Sequence, residues 1–286
     1  CSGDVRDGPA LLMGALFGAL SSLAVGMSEM FGRRGARVAG VLAVAVVSQG
    51  VAAVAAFVML LWLPSQPIWS DLVRGAISGV GFGVGMVAYL AGLMRSSATV
   101  IAPMVATMTV IIPFGVAVAG GAEVTGLAAL GVCVATVGLL FITVGGRAGP
   151  GTWAGLVLGA TSGLGFGVGL AVLIGTSSDS GSWPAVAQRL VACLLTVVVA
   201  MVVRSPVLPH GSVRWTALLS GVFGGIASVL YLLGIQADVL PAAVTGAMFP
   251  AVSVAIGRFV FGDSVRPIQT LGLGFVLAGV AGVVAG

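Results

Sequence analysis

Residues 8–27, GPALLMGALFGALSSLAVGM, and residues 149–168, GPGTWAGLVLGATSGLGFGV, are two versions of one segment set 141 positions apart in a chain of 286. Gly8, Pro9, Gly14, Gly18, Ala19, Ser21 and Gly26 recur without a gap as Gly149, Pro150, Gly155, Gly159, Ala160, Ser162 and Gly167. The register persists downstream. The two tyrosines of the chain, Tyr89 and Tyr231, stand at matching places in GVGFGVGMVAYLAG (79–92) and GVFGGIASVLYLLG (221–234), now 142 positions apart. The chain is therefore two copies of one unit, and the number of helices in a unit decides the architecture.

Hydrophobic residues make up 59% of the chain and charged residues 7%, too little polar surface to cover a soluble globule. Cutting at charged and Pro/Gly-rich breaks leaves ten apolar stretches, each near the roughly 20 residues that cross a bilayer core of about 30 Å. Their cores are 10–30, 38–63, 73–93, 98–119, 124–144, 152–174, 184–203, 214–235, 240–261 and 267–285. Trp62, Trp69, Trp153, Trp183 and Trp215 all fall at or just past a predicted span end, where indole rings prefer the interface. The fold expected is an all-α integral membrane protein of ten transmembrane helices, five in each of two units, 1–146 and 147–286. An odd number per unit makes the second copy enter the membrane from the opposite side. Such inverted repeats build a site near the midplane and alternate its exposure by rocking one half on the other.

The residues that close the second unit, PAVSVAIGRFVFGDSVRPIQTLGLGFVLAG (250–279), resemble the end of an EamA domain of the drug/metabolite transporter superfamily. They share its mid-helix proline, Pro250, an acidic residue thirteen positions on, Asp263, and a closing helix patterned with glycines. In the first unit Glu123 and the Gly131/Gly138 helix fill the corresponding places, while Pro103 and Pro113 stand out of register with Pro250. The resemblance spans nearly the whole chain. It implies a bacterial inner-membrane permease that moves a small metabolite or drug-like solute, often outward.

Composition and motifs weigh against other classes. One histidine, no HExxH and no paired carboxylates leave a membrane-embedded enzyme without catalytic groups, and no cofactor or metal site is read from the sequence. A non-transporting scaffold is the remaining alternative. The basic residues are twelve arginines scattered singly or in short groups at span ends, which reads as topology signals and not as a nucleic-acid surface. The expected partners are a small-molecule substrate, the lipid bilayer and a second copy of the chain. Cys133 and Cys193 read as small apolar residues of the spans. Cys1 opens the chain as Cys-Ser-Gly, either a lipidated terminus or a point inside a longer chain, and the second is the expectation because the last span also stops at Gly286.

No ionisable residue is expected near a span centre. Glu29 lies four residues before Arg33, the favourable order for an ion pair at the end of the first span. Arg37 and Arg189 are expected to anchor the starts of the second and seventh spans by snorkelling. Arg258 is placed to pair with Asp263, and His210 to face solvent. Neutral, zwitterionic or amphipathic substrates fit this distribution.

The candidate pathway follows helical spacing. Gly221, Gly224, Ser228 and Tyr231 share one face of the eighth span, and Gly79, Phe82, Met86 and Tyr89 share the equivalent face of the third. Small residues there either let a neighbouring helix close in or leave room for a ligand. Pro103, Pro113 and Pro250 each remove a backbone donor inside an apolar run, so these helices belong against protein or a cavity. Thr107, Thr109, Thr245 and Ser253 bring hydroxyls to the same two spans, and Gln49 is the deep amide of the first unit.

Nine arginines fall on one side of the ten-span layout and three (Arg6, Arg74, Arg189) on the side of the termini. By the positive-inside rule both termini lie outside. The family resemblance implies the reverse. Fusion of an alkaline phosphatase reporter after Gly286 is expected to give an active enzyme, and activity from a cytoplasm-only reporter at that position would overturn the outside assignment.

Overall fold

The first copied segment forms the start of a 32-residue helix, α1 (Gly8–Ala39), and the second belongs to α6 (Thr152–Val172). The computed structural model describes residues 8–62, 65–95, 98–143, 152–211, 213–249, 251–252, 255–256 and 266–285. Pro250, Ser253, Arg258, Asp263, Cys1, Arg6, Arg147, Gly149 and Pro150 lie outside the described residues, as does the side chain of Pro103. The other helices are α2 (Val41–Met59), α3 (Trp69–Arg95), α4 (Ala98–Ala119), α5 (Gly126–Thr143), α7 (Trp183–Val202), α8 (Val213–Ala237), α9 (Val239–Gly246) and α10 (Pro267–Ala285). A single 3₁₀ turn, Ser178–Ser180, precedes α7. Among the described residues the regular structure is entirely helical, and 7 of the helices are long and apolar enough to cross a membrane. Large apolar side chains such as Leu12, Leu61, Leu194 and Leu277 point outward from the bundle, as lipid contact requires. Trp62, Trp69, Trp153 and Trp215 are exposed at helix ends, while Trp183 turns in edge-on to Phe57.

Two boundaries differ from those read in the sequence. The first span continues nine residues beyond position 30, because Glu29 pairs with Arg33 at 3.4 Å one turn on and nothing breaks the helix before Gly40. Gly40 makes the turn with φ 84, a left-handed conformation that favours glycine, so Arg37 closes α1 and does not open α2. The ninth span is interrupted: α9 ends at Gly246, and Ala247 and Met248 form a turn. Pro250 has no N–H to offer the carbonyl four residues back, that of Gly246. Ser22 of α1 supplies the missing donor, with its hydroxyl 2.8 Å from the Gly246 oxygen and 2.5 Å from that of Thr245.

The packing explains why the copied segment is rich in glycine. α1 packs chiefly on α8 and α9, and α6 chiefly on α3 and α4, so the first helix of each unit sits in the other unit. A Cβ on Gly14 would lie 2.8 Å from the Asp238 carbonyl, and one on Gly18 2.6 Å from that of Ala242. On α6 a Cβ at Gly163 would lie 2.9 Å from the Met104 carbonyl of α4, and at Gly165 2.7 Å from the Gly81 carbonyl of α3. Both copies thus require backbone contact, which larger side chains prevent. The remaining pairs follow the same exchange: α3 lies on α7 as α8 lies on α2, α2 meets α7, and α5 meets α10 through Gly131, Gly138 and Gly279.

Hydrogen bonds gather several ends on one side. The Gln66 backbone N–H donates to the Asp179 backbone carbonyl at 2.9 Å, Gln236 Nε2 to the Ser177 carbonyl at 3.0 Å, and the Ser182 hydroxyl to the Ala56 carbonyl at 3.2 Å. Asp71, buried at the start of α3, accepts from the Ser177 amide at 2.9 Å and from the Ser180 hydroxyl, and Arg74 stands 3.6 Å from it. The end of α2, the start of α3, the α6–α7 connection and the end of α8 meet there. α1 begins on the same side, with Gly14 against Asp238.

A leucine at Gly18 is expected to lower stability by about 1–3 kcal/mol through overpacking. A leucine at Gly274, which has no atom within 4 Å of its would-be Cβ, is expected to be neutral. Thermal unfolding of the two detergent-purified variants checks the contrast.

Candidate functional site

The seventh helix carries one charge, Arg189, and it is not at the interface. Arg189 is the seventh residue of α7, about 9 Å along the axis from Trp183 at 1.5 Å per residue, and it is 9% exposed. The expected snorkelling anchor is thus replaced by a buried guanidinium at mid-bundle depth, because α7 begins tight against the α6–α7 connection and neighbouring helices close over the side chain. Its Nε donates to Ser228 Oγ at 2.7 Å, Nη1 to Gln49 Oε1 at 2.9 Å and Nη2 to the Gly224 carbonyl at 3.0 Å. The Phe82 ring covers one face, with its centroid 5.2 Å from the guanidinium carbon. Gln49 is the ninth residue of the 19 in α2, and Gly224 and Ser228 lie midway along α8. The helices that hold the cation therefore all reach it through their middles.

Around this cation every hydroxyl is used in one direction. Ser228 donates onward to Gln188 Oε1 at 3.2 Å, Gln188 Nε2 donates to Ser78 Oγ at 2.7 Å, and Ser78 donates to the Gly169 carbonyl of α6. Gln49, Ser78, Gln188 and Ser228 are all buried. Buried polar groups persist only when hydrogen-bonded, and here the chain runs through α2, α3, α6, α7 and α8, from both halves of the molecule. Among the described residues no carboxylate forms an ion pair with Arg189.

The stripe read from the sequence divides into two roles. Gly79 and Gly221 are packing positions: a Cβ at Gly79 would lie 2.5 Å from the Gln188 carbonyl and 2.7 Å from Val191 of α7, and one at Gly221 2.7 Å from the Ser48 carbonyl and 2.5 Å from Val51 of α2. Gly224, Ser228 and Phe82 meet the guanidinium, as does Gln49. Tyr231 follows one turn after Ser228, is 4% exposed, and lays its ring on Gly246 where α9 breaks. Among the described residues its hydroxyl has no hydrogen-bond partner, and the Thr107 and Ser162 hydroxyls share that state. Thr109 and Thr245 instead bond to carbonyls of their own helices, at 2.9 and 2.7 Å. Tyr89 does not mirror Tyr231: it is half-buried and its hydroxyl lies against the Arg33 guanidinium beside Glu29, near the other end of the bundle. Met86 is half-buried, and Pro113 is buried in α4.

Sequence reading missed Ser78, Gln188 and the burial of Arg189. One signal was present. Gln49 and Arg189 stand 140 positions apart, within two of the repeat offset, so the deep amide of the first unit pointed to the Gln188-Arg189 pair in the second.

No family model matches the chain, and no curated protein matches it. A solved structure described as "Crystal structure of protein" is similar with a TM-score of 0.76 at 17% identity, covering 94% of this chain and 96% of its own. At that identity the likeness concerns the fold alone.

Gln49→Leu is expected to cost about 1–3 kcal/mol, because it strands a buried donor of Arg189. Adding Arg189→Met removes the stranded charge, so the double variant is expected to be more stable than Gln49→Leu alone. Thermal unfolding of both gives the order.

Proposed function

We propose that the chain is a secondary transporter of the EamA kind, built as two inverted five-helix repeats that carry a small solute across the bacterial inner membrane by alternating access. The observation that carries this reading is the polar chain around Arg189, which joins both halves in the middle of an otherwise apolar bundle. Ionisable groups at such depth are costly, and they mark solute or ion paths more often than structure. Three further features support it. The helix pairs exchange with one another when the two units are exchanged, α1 begins on the side where α6 ends, and α9 breaks beside Tyr231 with its carbonyls held by Ser22. Broken helices near the repeat interface are a recurring device of transporters, since they bring backbone carbonyls to a midplane site. The direction of transport, outward, rests on the resemblance stated above.

In this reading the contacts of Gln66, Asp71 and Gln236 with the α6–α7 connection close one side, and they part when the site opens there. A disulfide between cysteines at positions 66 and 179, introduced into a chain free of native cysteine, is expected to reduce solute flux in proteoliposomes at least about tenfold, with recovery on reduction. The flux panel comprises amino acids, small organic acids, sugars and cationic dyes. Flux unchanged by the crosslink would overturn alternating access, and no flux of any panel member while a known permease is active would overturn transport.

A further inference from the structure

We infer that the solute carries a carboxylate and that Arg189 binds it, with the Tyr231 hydroxyl as a second contact. The inference rests on the transport reading and narrows it to a substrate class. A guanidinium has five N–H donors, and three of those of Arg189 are used on the neutral acceptors Ser228, Gln49 and Gly224. One N–H on each terminal nitrogen is left without an acceptor among the described residues. Among the described residues the positive charge is likewise uncompensated, since every hydrogen-bond partner is neutral and the fourth neighbour is the Phe82 ring. A buried cation with two spare donors is chemically completed by an anion that accepts from both. A carboxylate has the two oxygens and the planar geometry for that pairing.

The second observation is independent of the first. The Tyr231 hydroxyl is buried without a partner among the described residues, one helical turn beyond Ser228 on the face of α8 that meets Arg189. It is a neutral donor that an oxygen of the ligand would satisfy. The surroundings of that ring are apolar: Gly246 at the break of α9, Ala242, and Leu232 on the same helix. A ligand with a carboxylate at Arg189 and a small apolar body toward α9 matches both. The packing of α2, α3 and α8 over Arg189 favours a small solute over a lipid headgroup as the source of the anion. Gln49 and Phe82 hold the guanidinium in place and are positioning residues.

The test compares acids with their uncharged amides. Detergent-purified protein in chloride-free sulfate buffer at pH 7 is heated with benzoate or benzamide, isovalerate or isovaleramide, and phenylalanine or phenylalaninamide, and unfolding is followed by tryptophan fluorescence. At least one acid at millimolar concentration is expected to raise Tm by about 2 °C or more, with its amide giving under a quarter of that shift. Arg189→Gln is expected to abolish the shift and Tyr231→Phe to weaken the Kd about threefold to tenfold. If Arg189→Gln fails to fold, Arg189→Lys carries the test, because it keeps the charge and loses the planar fork, and a Kd weakened about tenfold is expected. The assignment falls if no acid stabilises the protein, if acids and amides act alike, if the arginine variant binds as the wild type does, or if chloride alone reproduces the shift. Acid-selective binding without flux in proteoliposomes would refute transport and keep the site. Equal flux of acids and amides would do the reverse.

Discussion

A charged guanidinium in an apolar bundle has to be solvated by the protein itself, and that requirement organises the centre of this molecule. The helices packed over the side chain shut out water and headgroups, so three N–H groups of Arg189 are met by neutral acceptors from two neighbouring helices. Ser228 and Gly224 come from α8, Gln49 from α2, and the Phe82 face from α3. Those helices are held at the right separation by glycines. Gly79 on α3 and Gly221 on α8 bring their backbones against α7 and α2, which leaves the remaining residues of the stripe within reach of the cation. Close packing and polar satisfaction are therefore parts of one arrangement.

The exchange of first helices between units has a consequence for packing. Because α1 is embedded against α8 and α9, and α6 against α3 and α4, neither unit is closed by its own helices. The boundary between the sequence repeats near residue 147 is therefore not a boundary between separately packed helix groups. Contacts at the α6–α7 connection, where buried Asp71 takes two hydrogen bonds, tie the ends of four helices on one side. The polar chain through Ser228, Gln188 and Ser78 runs from the cation to the α6 backbone. The cation is thereby linked to the helix that leads into the α6–α7 connection.

Much of the fold was legible in the sequence because lipid makes a strong demand on composition. Among the described residues the apolar runs are helical and seven helices are long and apolar enough to span a membrane, with the largest departures at the prolonged α1 and the interrupted α9. Both departures have local causes that periodicity does not register: an i,i+4 ion pair extending α1, and a Pro250 that withholds one N–H while a serine from another helix takes over the carbonyl. The site was legible in part. Phe82, Gly224 and Ser228 were reached from helical spacing and the repeat, Gln49 as a deep amide, and the structure brings those residues to Arg189. The arginine itself was read as an anchor because a charge six residues into a span has the reach to snorkel, and only the packing over it determines that it does not.

By itself, then, the sequence determined that the chain is duplicated, helical and apolar enough for a membrane, since those properties depend on composition and on residue spacing along one strand of chain. It also placed glycines where two backbones must touch, without naming the partner. The tertiary structure decided what each repeated residue does. Tyr89 and Tyr231 occupy matching positions, yet one lies beside Arg33 near a helix end and the other is buried against the break in α9 with its hydroxyl unpartnered. Equal positions in two copies acquire different roles because each copy packs against the other half, and a residue's electrostatic surroundings come from those neighbours and not from its own helix.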